Sequence, residues 1–226
     1  MEKFFIYSII LVCLSCNENK DWNVYGGSYE RTQYVGSDKI NKNNISDLVK
    51  VWEYRTFDND KYSQIQTNPL IIDKKFYGVS PKLKLFSLDA KSGSEIWVFD
   101  PFKNDKKYFD NDDTSVNVCR GITYFEDILQ NSYIFYGVGS KLFKVNSKNG
   151  EPDFNFGNNG FIDLHTGLGE NSTSLFVSMT SPGLIFDNLI IVGSSVSEGN
   201  PAAKGNIRAF DANTGDLVWI FNTIPE

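Results

Sequence analysis

The sequence predicts an all-β chain, part of a β-propeller of about three four-stranded blades. Three observations carry that expectation. A ten-residue pattern recurs, hairpin signals precede each copy, and the composition is rich in aromatics and glycine. The pattern is "LDAKSGSEIW" at 88–97, "VNSKNGEPDF" at 145–154 and "FDANTGDLVW" at 210–219. In each copy an Asp or Asn (Asp89, Asn146, Asp211) is followed four residues later by Gly (Gly93, Gly150, Gly215), and four further on by an aromatic (Trp97, Phe154, Trp219). The acidic or amide side chain bonds the backbone ahead of it, and Gly accepts the positive φ of a tight turn. The aromatic then enters a short strand, where it buries a large area. One such turn is common in any β protein. Three with the same internal spacing form a repeat, and repeats of a few tens of residues indicate propellers or solenoids.

Each copy sits in a similar setting. "LIIDKKFYGVS", "DILQNSYIFYGVG" and "GLIFDNLIIVGSS" are apolar runs parted by a polar turn, which reads as a hairpin. Asp73-Lys74 and Asp187-Asn188 mark the turns of the first and third. A third strand precedes each Asp ("KLFSL", "KLFKV", "NIRAF") and a fourth follows each Gly, giving the four strands of one blade. The copies are spaced 57 and 65 residues apart (Asp89 to Asn146, Asn146 to Asp211). A lean blade takes roughly 40–45 residues, so polar loops at 103–114 and 157–174 are expected to hold the excess. The best helical signal is the short "INKNNISDLVKVW", with Asn44 as a cap.

Eighteen Phe, eleven Tyr and eighteen Gly suit short strands and many turns. The net charge of −6 argues against nucleic acid as a partner. The segment 1–16, "MEKFFIYSIILVCLSC", carries one Lys and an apolar stretch from Phe4 to Leu14. That stretch is too short to span a bilayer and suits a signal-peptide core. Ser15-Cys16 reads as a lipoprotein processing site, with Cys16 lipidated. An ordinary secretory signal cut nearby is the alternative. The propeller part is then 17–226, and it retains Cys119 alone, so no internal disulfide is expected.

"WNVYGGSYERTQY" (22–34), "INKNNISDLVKVWEYRT" (40–56), "VCRGITY" (118–124) and "GNIRAFDANTGDLVW" (205–219) occur in that order. Together they resemble the N-terminal part of the pyrroloquinoline-quinone-dependent dehydrogenases, in the glucose dehydrogenase-like branch. The resemblance implies an eight-bladed quinoprotein propeller with the quinone near its axis and a Ca²⁺ ion beside it. It implies oxidation of a sugar or alcohol C–OH, with electrons passing to ubiquinone or a cytochrome. The expected location is the periplasmic side of a bacterial membrane, with contact to the membrane only through the lipid on Cys16.

The same resemblance assigns residues. A quinone with three carboxylates and two adjacent carbonyls wants cationic and hydroxyl donors, and Arg120 in "CRG" matches the family's quinone-contacting arginine, whose planar fork suits adjacent oxygens. Gln66, where many relatives carry Glu, Ser194 and Ser195 in the "GSS" turn, and Thr180 in "MTSP" are the further expected contacts. Glu198 falls where the family places an acidic calcium ligand. Lys82 reads as a solvated strand-end lysine, and the single histidine, His165, which has no partner signal, as a loop residue and not a catalyst. The vicinal cysteine pair of the alcohol dehydrogenase branch is missing before Arg120, where the sequence is "DTSVNV". No catalytic base is assigned; in the family it comes from later blades, beyond Glu226, so these 226 residues are expected to be an inactive fragment. A non-catalytic propeller lipoprotein acting as a periplasmic scaffold is the competing reading.

Overall fold

The computed structural model describes residues 21–103, 108, 118–169 and 171–225. The predicted targeting segment 1–16 and most of the expected loop 103–114 lie outside the described residues. Three antiparallel sheets of four strands follow one another. The first runs β1 (Leu70–Ile72), β2 (Lys75–Val79), β3 (Leu85–Asp89) and β4 (Glu95–Phe99). The second runs β5 (Thr123–Glu126), β6 (Ser132–Val138), β7 (Lys141–Asn146) and β8 (Phe161–Asp163). In the third, β10 (Leu184–Phe186) and β11 (Leu189–Val192) are followed by β13 (Ile207–Asp211) and β14 (Leu217–Phe221). A two-stranded ladder of β9 (Val177–Ser178) and β12 (Ser195–Val196) stands beside it. Each sheet is an up-and-down meander, the construction of a propeller blade.

The turns form as the sequence predicts. Asp73 and Lys74 both take positive φ, 49° and 62°, as a two-residue hairpin turn requires. Asp89 Oδ1 accepts backbone N–H bonds from Lys91 and Ser92, and Asp211 Oδ1 does the same for Asn213 and Thr214. The aromatics explain why the turn must end in Gly. Trp97 donates its indole N–H to the Ser147 carbonyl at 3.1 Å, and a Cβ on Gly150 would lie 2.6 Å from its ring. The blade-one strand therefore docks flat on the blade-two turn. Trp52, upstream of the first sheet, repeats the arrangement on blade one: its N–H reaches the Ala90 carbonyl at 3.2 Å, with its ring against Gly93.

The worn middle copy departs from the pattern. Phe154 lies in no strand and is 53% exposed. The expected loop 157–174 contains β8 instead. Pro152 pairs with Val145 in an isolated bridge, the chain then leaves the sheet, and pairing resumes at Phe161 opposite Phe143. The excursion falls where the other two blades carry a register shift, next to Ser87 and Ala209. With no tryptophan to dock, blade two reaches blade three by other bonds: Gly157 N–H donates to the Thr214 carbonyl at 2.7 Å, and Lys144 Nζ to the Asn213 carbonyl at 3.4 Å. Lys144 is buried, pairs with Asp153 at 2.8 Å and lies 4.1 Å from the centre of the Tyr133 ring. The expected helix is one 3₁₀ turn, Ile45–Asp47, and Asn44 does not cap it. Its amide instead accepts from Asn41 N–H and donates to the Lys39 carbonyl, closing the turn from behind.

Two apolar cores result. One joins blades one and two through Leu85, Trp97, Phe99, Ile134, Tyr136 and Phe143; the other joins blades two and three through Phe135, Leu142, Phe156, Ile190 and Phe210. Edge-on ring contacts such as Phe99–Tyr136 and Phe135–Phe156 run through both.

Candidate cofactor site at the inner strand ends

The first strands of the three blades begin at a common edge, and the segments leading into them are laced together. Asn68 N–H donates to the Arg120 carbonyl at 2.9 Å, and Arg120 N–H to the Thr180 carbonyl at 2.8 Å. Thr67 Oγ1 donates to the Cys119 carbonyl at 2.7 Å, and Thr123 Oγ1 to the Gly183 carbonyl at 2.8 Å. Segment 22–31 lies across the inner strands. Trp22 exchanges both backbone hydrogen bonds with Ile71, and the Tyr25 ring packs where a Cβ on Gly121 would stand. Between them is a groove of about 70 Å³ lined by residues including Tyr25, Arg31, Tyr124 and Pro182.

This lacing brings together three residues singled out in the sequence. Arg120 is exposed, and its Nη1 donates to Thr180 Oγ1 at 2.8 Å. The guanidinium is thus fixed at one corner, and its other N–H groups have no partner among the described residues. Gln66, also exposed, is two residues before Asn68 on the neighbouring segment. Thr180 had the weakest sequence signal, because only tertiary folding gives its hydroxyl a partner. Ser195 is exposed in β12, paired with Ser178 two residues from Thr180. Ser194 points elsewhere: its Oγ accepts from Arg208 Nη2 at 2.5 Å. Arg208 is fully buried on β13 and was not singled out by sequence. Its Nη1 donates to the Leu164 and Thr166 carbonyls. Glu198 and Lys82 are exposed, and Lys82 Nζ lies 3.6 Å from Asp60.

His165 is a loop residue, as expected, and the fold supplies partners that the sequence does not signal: Nδ1 lies 2.6 Å from Asp163 Oδ1 and Nε2 3.0 Å from the Leu175 carbonyl. It anchors the loop after β8, 10% exposed, and its ring has no free nitrogen for catalysis. Cys119, beside Arg120, is a buried free thiol, pushed up to about 11 by burial.

An exposed guanidinium, an amide and hydroxyls at one edge, with a buried guanidinium below, fit an anionic, oxygen-rich group. Calcium is less well provided for. Among the described residues no group of three His, Cys, Asp or Glu side chains could hold an ion, and Glu198 alone does not make a site.

A meander-blade propeller with cationic donors at its inner strand ends is the framework of a quinoprotein dehydrogenase. Residues 22–226 match the model of the PQQ-type glucose/ethanol/alcohol dehydrogenase β-propeller domain, and the chain belongs to that family. It is 30% identical to quinate/shikimate dehydrogenase (quinone) of Acinetobacter baylyi, over 89% of this chain and 27% of that protein. It is 28% identical to quinoprotein glucose dehydrogenase of Escherichia coli, over 90% of this chain and 27% of that one. The chain thus spans about a quarter of the length of these relatives. Among solved structures, the fold resembles quinohemoprotein alcohol dehydrogenase from Comamonas testosteroni, with a TM-score of 0.69 at 22% identity, covering 91% of this chain and 28% of that one. A europium-containing methanol dehydrogenase gives 0.65 at 20%, covering 90% and 32%.

Proposed function

We propose that this chain contributes part of the cofactor wall of a dehydrogenase that oxidises a sugar or alcohol C–OH with pyrroloquinoline quinone. Electrons would leave to a membrane quinone or a cytochrome, on the periplasmic face of a bacterial membrane, with the lipid on Cys16 as anchor. The observation that carries this reading is the Arg120–Thr180 contact at the mouth of the inner strands. A scaffold gives no reason for a guanidinium held at one corner and presented to solvent.

The quinone, when bound, supplies the hydride acceptor. What this chain's residues do is bind and orient. Arg120 would engage adjacent oxygens with the N–H groups not used by Thr180, and Gln66 and Ser195 would donate from the flanking segments. Glu198 would offer one carboxylate to a calcium ion.

The test is reconstitution of the full-length gene product with the quinone and Ca²⁺. Quinone absorbance should stay with the protein through a desalting column. Arg120→Ala removes a charged hydrogen-bond partner worth about 1.5–3 kcal/mol, so its affinity should fall by roughly 10- to 150-fold. Equal titration curves for parent and variant would remove Arg120 from the site.

A further inference from the structure

Arg208 occupies a position that the other two blades fill with phenylalanine. Aligning "KLFSLDA", "KLFKVNS" and "NIRAFDA" places Arg208 with Phe86 and Phe143, both buried. The fold therefore does not require a charge there. Its presence is costly: the side chain is fully buried, its Nε has no partner, and no ion pair forms with it among the described residues. Burial lowers its pKa to about 10, and the charge that opposes this is Asp163, half turned to solvent and shared with His165. A buried cation with no direct ion pair invites a role other than packing.

Its bonds show what it reaches. Nη1 holds the Leu164 and Thr166 carbonyls on either side of His165, and Nη2 holds Ser194 Oγ. Ser194 leads into β12, which is paired through Ser195 with Ser178 on β9, and β9 runs on to Thr180 and its bond to Arg120. Arg208 also sits near the start of β13, at the same strand ends as those residues.

We propose that Arg208 is a positioning residue for the anionic cofactor: it pins the Ser194 turn against the loop after β8 and places a buried positive charge beneath the candidate site. The inference rests on the cofactor reading above. A charge in a low-dielectric interior acts over longer distances than one in water, so carboxylates above the turn gain from it without touching it.

The test compares affinity for the quinone tricarboxylate with that for its uncharged trimethyl ester, on the full-length protein with Ca²⁺, read by the quinone absorbance. Arg208→Met keeps an apolar side chain of similar length and should lower the ratio of the two affinities by about tenfold, the effect of one charge about 10 Å away at an effective dielectric near 20. Arg208→Lys, which keeps the charge, should retain most of the ratio. A merely structural role would weaken both ligands alike and leave the ratio at the parent value, and a folded Arg208→Met protein behaving so overturns the inference. Should that variant not fold, Ser194→Ala carries the test. It cuts the link at a half-buried turn and should weaken the tricarboxylate about threefold, as expected for one neutral hydrogen bond; parent-like binding there overturns the inference equally. A parent that binds neither quinone removes the cofactor reading itself, a result distinct from parental binding that Arg208→Met leaves unchanged.

Discussion

Replacing Asp153 by Asn tests how the middle blade is joined to the third. Lys144 and Asp153 have side chains only 3% and 14% exposed, 2.8 Å apart. The ammonium is otherwise surrounded by the rings of Tyr133, Phe156 and Phe125, and by the Asn213 carbonyl of the next blade. Asp153→Asn keeps the shape but leaves a buried charge without its counter-ion. Breaking a buried pair this way typically costs about 3–5 kcal/mol. The rings and the carbonyl retain some stabilisation, so the lower end, about 3 kcal/mol, is expected. Lys144→Met should cost less, about 1 kcal/mol. It forfeits a cation–π term of roughly 0.5–2 kcal/mol but also removes the desolvation penalty, and Asp153 can rehydrate. The double variant should resemble Lys144→Met, giving a coupling of about 3 kcal/mol. Urea unfolding followed by fluorescence and circular dichroism measures all four proteins. If Asp153→Asn costs no more than Lys144→Met, or the double variant is as unstable as Asp153→Asn alone, the ion pair is not what holds this junction.

Gly150→Ala should destabilise by about 2–3 kcal/mol, from a left-handed backbone penalty of roughly 1–2 and the loss of the Trp97–Ser147 bond, about 1; a change below about 0.5 kcal/mol would contradict the docking geometry. At pH 8 the Cys119 thiol should be alkylated about 200-fold more slowly in the native protein than in denaturant, since a raised pKa keeps it protonated until well above pH 8. Peptide mapping after iodoacetamide treatment reads this, and equal rates would show that the thiol is not buried. Glu198→Gln should raise the calcium concentration needed for quinone capture. Reconstitution at the parental concentration would return Glu198 to an ordinary loop.

The blades were legible because their signals are local. Asp89, Gly93 and Trp97 lie within nine residues, and the Asp-Lys and Asp-Asn turns announce the hairpins without reference to the rest of the fold. The middle blade was only half legible. Its fourth strand is separated from its turn by an excursion, and Phe154 occupies the aromatic position in sequence but not in space. At the candidate site, Arg120 was singled out by its motif. That Thr180 fixes it could not, because 60 residues separate them. Arg208 was hidden differently. It lies inside a quoted repeat, and comparing the three copies column by column, where Phe86 and Phe143 meet an arginine, would have exposed it. The partners of His165 were hidden because Asp163 is brought to its ring only through the tight turn after β8.

The tryptophan docking also gives the molecule a direction in time. Trp52 closes on a carbonyl 38 residues later, and Trp97 on one 50 residues later. In each case the receptor turn lies C-terminal to the aromatic, so on a chain that emerges N-terminus first the indole stays uncovered until the later turn appears. A hairpin forms in microseconds, so each junction can seal as soon as its receptor turn has emerged, and the junctions close in chain order. A pause between a tryptophan and its turn would prolong that exposure, whereas a pause after the turn would find the junction already closed.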